Sequence, residues 1–126
     1  MEGKEKENPV SNIVSRNRCE SYIWDTGCFG WSYLNQNKIS IIREKMKPNT
    51  SESIHYHNIS QQFFYIISGQ ATFILGGQEF KLMPDEGIQI LPKQTHCIQN
   101  KNLEDLHFLV ISTPSADNDR VHIITT

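Results

Sequence analysis

Two histidines separated by a single residue, His55 and His57, are the side chains of this chain best placed to bind a metal ion. They lie in residues 54–57, a short segment typical of a β-strand, and alternate residues of a strand project from the same face. Two such side chains begin about 7 Å apart, which lets both rings reach one ion. Neutral imidazole is a good ligand for Zn, Cu, Fe and Ni. Taken alone the spacing is weak, because exposed or core histidines show it as well.

The surrounding sequence predicts short β-strands. Segments rich in β-branched and aromatic residues alternate with Pro, Gly and Asn turns from residue 38 onward, and no helical period is visible there. The predicted strands are residues 38–46, 54–57, 62–67, 71–75, 78–82, 88–91, 96–100 and 106–112, with a last edge strand over 121–124. This pattern predicts an all-β sandwich or barrel.

The histidine pair begins a longer pattern that consists of two blocks. In the first block four residues separate His57 from Gln62, and six more separate Gln62 from Gly69. Seventeen residues then lead to the second block, which consists of Gly87, Pro92, His96 and Asn100.

These blocks resemble the two sequence motifs of the cupin superfamily, which together surround a metal ion. The resemblance covers residues 38–112 approximately and implies a small jelly-roll β-barrel. It also implies that His55, His57 and His96 bind a divalent transition metal, with Gln62 as a weaker fourth ligand. Fe, Mn, Ni, Zn and Cu are not distinguishable from such a ligand set.

Three features depart from the family motif. In the second block, the gaps on each side of Pro92 are one residue short and Gln94 replaces the usual glycine, which indicates altered turns. Gln62 stands where the motif has glutamate, and Asn49 stands where it has glycine. A glutamine offers a neutral carbonyl oxygen, so it does not offset the charge of a divalent ion and cannot accept a proton at neutral pH. A metal-free barrel with a polar, histidine-lined pocket therefore stays open as an alternative.

Strand alternation predicts which neighbours of the ligands line a substrate pocket. If Gln62 faces inward, Phe64 and Ile66 do as well, and Ile98 and Asn100 follow from an inward His96. An apolar pocket with a few polar groups suits a small organic molecule.

The same alternation predicts that several other polar side chains stay outside the site. Tyr56, Tyr65 and Cys97 should face away from it, and structural or surface roles are expected for His107 and His122. No acid or base other than the histidines is apparent.

The resemblance implies a metal-dependent enzyme that acts on a small organic molecule, either dioxygenase-like or sugar-isomerase-like. Residues 52–69 are loosely similar to small cupins described as mannose-6-phosphate-isomerase-like. One alternative is a non-catalytic cupin that binds a sugar or another metabolite. Another is a metal-free keto-sugar isomerase in which histidine carries the acid and base chemistry.

Composition limits the other classes. The chain of 126 residues has room for one domain, with a flexible arm over residues 1–12 and a cupin domain over 13–126. A net charge of −2 and no basic face argue against nucleic-acid binding. No apolar run approaches the roughly 20 residues that cross a membrane. Three cysteines at unrelated spacings, without a secretory signal, favour a reduced cytoplasmic protein.

A homodimer is expected. The aromatic and glycine-rich segment 24–33 and the residues before it would cover exposed sheet edges by pairing with a second subunit. On this hypothesis, removal of residues 1–34 leaves aggregated or monomeric protein.

Overall fold

The computed structural model describes residues 12–123 and shows two antiparallel β-sheets. One sheet has the order β1-β2-β3-β11-β6-β9, and the other has the order β12-β5-β10-β7-β8 with β4 beside β10. Within the described residues there is no helix that could span a membrane. The strands are β1 Glu20–Asp25, β2 Cys28–Asn35, β3 Ser40–Met46, β4 Thr50–Ser51, β5 His55–His57, β6 Gln61–Ser68, β7 Ala71–Leu75, β8 Gln78–Leu82, β9 Gly87–Ile90, β10 His96–Asn100, β11 Leu106–Thr113 and β12 Arg120–His122.

The predicted all-β jelly-roll barrel is confirmed, and the strands from β3 onward lie close to their predicted bounds, except for the two-residue strand β4, which was not predicted. The sequence predicted no strand bounds before residue 38, yet β1 and β2 form a hairpin that extends the first sheet. Aromatic and glycine residues obscure the alternation there, although Cys28 and Gly30 are both buried. The predicted arm over residues 1–12 falls almost wholly outside the described residues, as does the end of the predicted last strand.

The inward faces of the strands change from apolar to polar along the barrel. Leu106 of β11 pairs with Met46 of β3 at one end, and Ser112 pairs with Ser40 at the other. All four side chains are buried. The barrel therefore has one half closed by a hydrophobic core and one half lined by polar groups.

The hydrophobic core occupies the apolar half. The rings of Phe64 and Phe73 lie 4.9 Å apart edge to face, and Phe108 stacks on Phe64 at 5.9 Å. Edge-to-face and offset ring pairs of this kind add to the stabilisation that burial alone provides. Buried aliphatic and sulfur-containing side chains complete the core: Cys28, Met46, Ile66, Leu82, Ile90, Ile98, Leu106 and Val110.

Two asparagines hold turns of the barrel. Asn100 is fully buried, and its Nδ2 donates to the carbonyls of Met46 and Glu104 at 2.9 and 2.8 Å. Asn49 has φ 61°, a left-handed conformation that asparagine tolerates better than most residues. This explains how Asn49 replaces the glycine expected there.

The predicted homodimer stays a prediction. Strand β1 lies at the edge of its sheet, and Ile23 on it is 69% exposed. An exposed edge with an apolar side chain is compatible with pairing to a second copy.

Gly69 should be the glycine least tolerant of substitution. It has φ +86°, and an added Cβ would lie 2.6 Å from the Asp105 carbonyl oxygen. Gly76 has a similar φ of +58° but open space around it. We expect Gly76→Ala to cost about 1–2 kcal/mol from backbone strain alone. Gly69→Ala should cost clearly more in urea unfolding, and equal losses for the two variants would contradict this placement.

Candidate functional site

Three histidines meet at the polar half of the barrel. His55 and His57 come from β5, and His96 lies opposite His55 on the neighbouring strand β10. The ring centroids are 5.1 Å apart for His55 and His57, 4.4 Å for His55 and His96, and 5.5 Å for His57 and His96. Each ring offers one nitrogen such that the three atoms lie within 4.8 Å of one another. The three residues are buried, with exposures of 2%, 4% and 0%.

Backbone carbonyls determine which nitrogen of two of these rings carries the proton. His55 Nδ1 lies 2.8 Å from the Ser53 carbonyl oxygen, and His96 Nδ1 lies 2.9 Å from that of Gln94. A carbonyl oxygen can only accept, so these contacts favour Nδ1 as the protonated nitrogen of both rings. For His55 the carbonyl contact at 2.8 Å is shorter than the 3.1 Å contact of Nδ1 with the Arg120 guanidinium, which can only donate. In a neutral ring, Nε2 then has a free lone pair. This carbonyl contact is the usual arrangement behind a histidine that binds a metal through Nε2.

Gln62 brings an oxygen to the same point. Its Oε1 lies 3.2 Å from His96 Nε2, and its Nε2 donates to Ser112 Oγ at 3.0 Å. With His96 protonated on Nδ1, an amide oxygen and a ring lone pair face each other across 3.2 Å. Two acceptors at this distance repel unless a positively charged group lies between them or beside them.

All three histidines are held in the neutral form. Burial lowers the pKa of His55 to about 3, and the nearby Arg120 guanidinium adds to this effect. Burial and the neighbouring His96 lower the pKa of His57 to about 4. The pKa of His96 is also lowered, again mainly by burial. The lone pairs are therefore available at neutral pH.

His55 and His57 open into a cavity of about 290 Å³, and the fully buried His96 is not part of its wall. This volume is close to the lower limit of about 300 Å³ for pockets that bind small molecules. The wall combines side chains of the first sheet with the segment that leads into β12. Its lining residues are Tyr22, Ser40, Ile42, Glu44, Glu52, His55, His57, Gln62, Phe64, Val110, Ser112, Ala116, Asp117, Asn118 and Arg120.

Three carboxyl groups line this cavity, those of Glu44, Glu52 and Asp117, which corrects the expectation that no acid or base other than the histidines is apparent. Burial and the neighbouring Glu52 raise the pKa of Glu44 to about 8. Burial raises the pKa of Glu52 to about 7, although the Arg120 guanidinium acts in the opposite direction. The signal was present in the sequence, since Glu44 shares a strand face with Ser40 and Ile42.

The segment before β12 places a positive charge at the cavity. Arg120 Nη2 lies 3.6 Å from Glu52 Oε2 and 3.1 Å from His55 Nδ1. Because His55 Nδ1 already donates to a carbonyl, the carboxylate is the productive partner of this guanidinium. Asp119 anchors the segment by accepting three backbone hydrogen bonds from Asn58, Ile59 and Ser60 at 2.9 to 3.0 Å.

The four residues predicted to line a substrate pocket have different surroundings. Phe64 lines the cavity beside the histidines. Ile66 and Ile98 are fully buried in the hydrophobic core, and Asn100 is engaged by backbone groups at the far end of β10. Strand alternation therefore predicted which side chains face inward. It could not predict where, along each strand, the packed core gives way to the cavity.

The remaining histidines are not members of the three-histidine cluster, although the His122 ring lies 6.2 Å from that of its cross-strand partner His55. His107 is on the outer face of β11, with Nδ1 3.2 Å from Arg43 Nη2. His122 is exposed, and its Nδ1 lies 3.3 Å from Ser53 Oγ.

Three other side chains have surroundings distinct from the cluster. Tyr65 binds Asp85 through its hydroxyl at 2.5 Å. Cys97 is buried, with Sγ 3.9 Å from Gln99 Nε2, and Tyr56 does not line the cavity.

Solved structures with the same fold are numerous. A conserved protein with a double-stranded β-helix domain from Klebsiella pneumoniae is 20% identical, with a TM-score of 0.76 over 91% of this chain and 99% of the other. A predicted oxalate decarboxylase from Thermotoga maritima is 21% identical, with a TM-score of 0.73 over 82% and 99%. A cupin-superfamily sugar phosphate isomerase from Silicibacter pomeroyi is 15% identical, with a TM-score of 0.73 over 82% and 76%. At these identities the likeness establishes the fold alone.

No curated protein matches the chain. The sequence does match a family model. The model described as "Cupin domain" matches residues 42–112, which include all three clustered histidines and Gln62. This chain therefore belongs to the cupin domain family.

Proposed function

We propose that this chain is a metal-dependent enzyme that interconverts isomers of a small polar organic molecule bound in the cavity. The ion would be held by His55, His57 and His96, with Gln62 Oε1 as the fourth ligand. The observation that carries the proposal is the convergence of three buried histidines whose ring nitrogens lie within 4.8 Å of one another, with Gln62 Oε1 3.2 Å from His96 Nε2.

The donor set fits a divalent transition metal. Backbone carbonyls orient His55 and His96 so that their Nε2 lone pairs are free. Ser112 accepts from the Gln62 amide nitrogen and so turns the amide oxygen toward His96. Three imidazoles and one amide oxygen carry no charge, so the bound ion would keep its full double charge. When bound, it would act as a Lewis acid toward a substrate oxygen.

The cavity wall favours proton transfer over oxygen chemistry. Two carboxyl groups with raised pKa values, Glu44 and Glu52, line the same space as the histidines. Groups that titrate near neutral pH suit general acid and base catalysis. An isomerisation of a hydroxy-aldehyde or hydroxy-ketone needs such groups and no oxidant. A dioxygenase-like reaction would not require these two carboxyl groups.

A metal-free cupin would need a different amide orientation. If the Gln62 amide were turned by 180°, its nitrogen could donate to His96 Nε2 and its oxygen could accept from the Ser112 hydroxyl. All four groups would then be satisfied without an ion. The two orientations predict opposite responses to added metal.

The first prediction concerns metal binding. We expect the metal-stripped protein to bind one equivalent of Co²⁺ or Ni²⁺ in calorimetry, with a rise in Tm because the ion binds the folded state. His55→Ala, His57→Ala and His96→Ala should each weaken binding by at least about 100-fold. His107→Ala is the matched control, since His107 lies outside the cluster. Unchanged affinity in all three cluster variants would contradict the ligand assignment.

The second prediction tests the orientation of the amide. Ser112→Ala removes the acceptor that fixes the Gln62 nitrogen, so metal affinity should fall by about 10- to 100-fold. Gln62→Glu should strengthen binding because a carboxylate offsets the charge of the ion. An increase in affinity with Ser112→Ala, or a decrease with Gln62→Glu, would favour the turned amide.

The third prediction separates an enzyme from a binding protein. We expect metal-loaded protein to interconvert at least one member of a panel of hydroxy-aldehydes and hydroxy-ketones of three to six carbons, followed by NMR. Metal-stripped protein should not do so, and oxygen consumption should stay at background. Equal turnover without metal would instead support the metal-free keto-sugar isomerase. Ligand binding without conversion would support the non-catalytic cupin.

A further inference from the structure

Three adjacent strands place Tyr22, Gly30 and Glu44 in one line across the first sheet. Tyr22 of β1 pairs with Gly30 of β2, and Gly30 pairs with Glu44 of β3. The Tyr22 ring lies directly over this glycine. A Cβ added at residue 30 would lie 2.3 Å from Tyr22 Cζ, so the ring occupies the space that a side chain would need. The Tyr22 hydroxyl thereby reaches Glu44 Oε2, to which it donates at 3.5 Å. Any larger residue at position 30 would displace this ring.

Glu44 and Glu52, the cavity carboxyl groups with raised pKa values, have different contacts. Glu52 Oε1 accepts from the Ile98 N–H at 3.2 Å, and its Oε2 faces Arg120 at 3.6 Å. Glu52 is thus engaged by the backbone and by a permanent cation. Glu44 has the neutral Tyr22 hydroxyl as its hydrogen-bond partner. Its carboxyl group is therefore free to exchange a proton with a molecule in the cavity.

We propose that Glu44 is the catalytic acid and base of the cavity and that Tyr22, held over Gly30, is its positioning residue. This inference rests on the proposed isomerase function and adds the group that moves the proton. The substrate class it implies is a compound with a C–H bond next to a carbonyl group and a hydroxyl on that same carbon.

The electrostatics of the cavity support this role. Burial and the Glu52 carboxyl favour the protonated form of Glu44, while Arg120 and the Tyr22 hydrogen bond favour the ionised form. Asp117 and the neutral rings of His55 and His57 are the other titratable side chains that line the cavity. The raised pKa of about 8 keeps both forms of Glu44 accessible near neutral pH. Burial and Glu44 raise the pKa of Tyr22, so its hydroxyl remains a donor.

The step balances without any further reactant. The Glu44 carboxylate takes the proton from the substrate carbon that bears the hydroxyl. The electron pair of that C–H bond forms a carbon–carbon double bond, and the π pair of the carbonyl group moves to its oxygen. The proton that the hydroxyl group loses, as it becomes the new carbonyl, is passed through solvent to this oxygen, so the two oxygens exchange one proton with no net gain or loss. Glu44 then returns its proton to the former carbonyl carbon. The product is an isomer of the substrate, and Glu44 is regenerated as the carboxylate.

Solvent exchange tests the proton transfer directly. Metal-loaded protein in D₂O is incubated with dihydroxyacetone and with the hydroxy-carbonyl panel, and loss of the substrate C–H signal is followed by ¹H NMR. We expect Glu44→Gln to slow this exchange by about 100-fold or more. Tyr22→Phe and Gly30→Ala should each slow it by about tenfold, the effect of one hydrogen bond to a charged group. Glu104→Gln, on an exposed turn, is the matched control and should exchange like the parent.

Metal affinity and proton exchange together distinguish a failure of this inference from a failure of the proposed function. Metal affinity of the Glu44→Gln variant should equal that of the parent, because Glu44 is not among the clustered ligands. Exchange at the parental rate in Glu44→Gln would overturn the role of Glu44 and leave the metal site intact. No exchange by the metal-loaded parent with any probe would also overturn it. Failure of the parent to bind metal would instead overturn the proposed function.

The pH dependence gives a readout that a purely structural role would not move. The exchange rate of the parent should rise with pH through one ionisation above the usual carboxyl range, and Tyr22→Phe should move that ionisation to higher pH by removing a donor to the carboxylate.

Thermal unfolding checks the same group in the folded protein. Because the folded-state pKa is raised from 4.5 to about 8, the parent loses stability as pH rises through this window. The Tm advantage of Glu44→Gln over the parent should therefore grow from pH 5 to pH 8. A constant Tm difference would contradict a shifted Glu44.

Discussion

The buried hydrogen bonds from two histidine rings to backbone carbonyls are the constraint on which the site depends. The carbonyls of Ser53 and Gln94 accept from Nδ1 of His55 and His96, which fixes the tautomer of each ring. Burial keeps these rings uncharged. One nitrogen of each ring then points to the centre of the histidine cluster, where the Gln62 oxygen lies 3.2 Å from His96 Nε2. Buried acceptors that lack a donor are costly, and a bound cation would satisfy these lone pairs.

The barrel supplies this arrangement through a change of polarity along its strands. At one end, aromatic and aliphatic side chains pack into a core that reaches the His96 ring, which stacks on Phe73 at 6.0 Å. At the other end, serines and Gln62 take over the inward positions. The segment that leads into β12 then brings Arg120 to the cavity, and Asp119 anchors that segment to the loop after β5. The histidines therefore sit at the boundary between a packed interior and a polar pocket.

Much of the fold followed from the sequence because period-two alternation and turn residues are local signals. The bounds of β7, β8 and β10 agree with prediction for this reason. The β1–β2 hairpin was not predicted, because its glycine and aromatic residues do not follow the usual alternation of a strand. Gly30 is needed there to make room for the Tyr22 ring that passes over it. For the site, spacing brought the histidines and Gln62 together. Glu44 shares a strand face with Ser40 and Ile42, but neither Glu44 nor Arg120 belongs to a motif, so only the three-dimensional structure shows that they meet at the cavity.

Direct observation of the imidazole protons tests the central claim. A long-range ¹H–¹⁵N spectrum of the metal-stripped protein resolves the protonated and unprotonated nitrogens of each histidine. We expect His55 and His96 to carry their proton on Nδ1 near neutral pH, and their Nε2 resonances to shift when Zn²⁺ is added. Protonation of either ring on Nε2, with no change on addition of Zn²⁺, would contradict the proposed metal site.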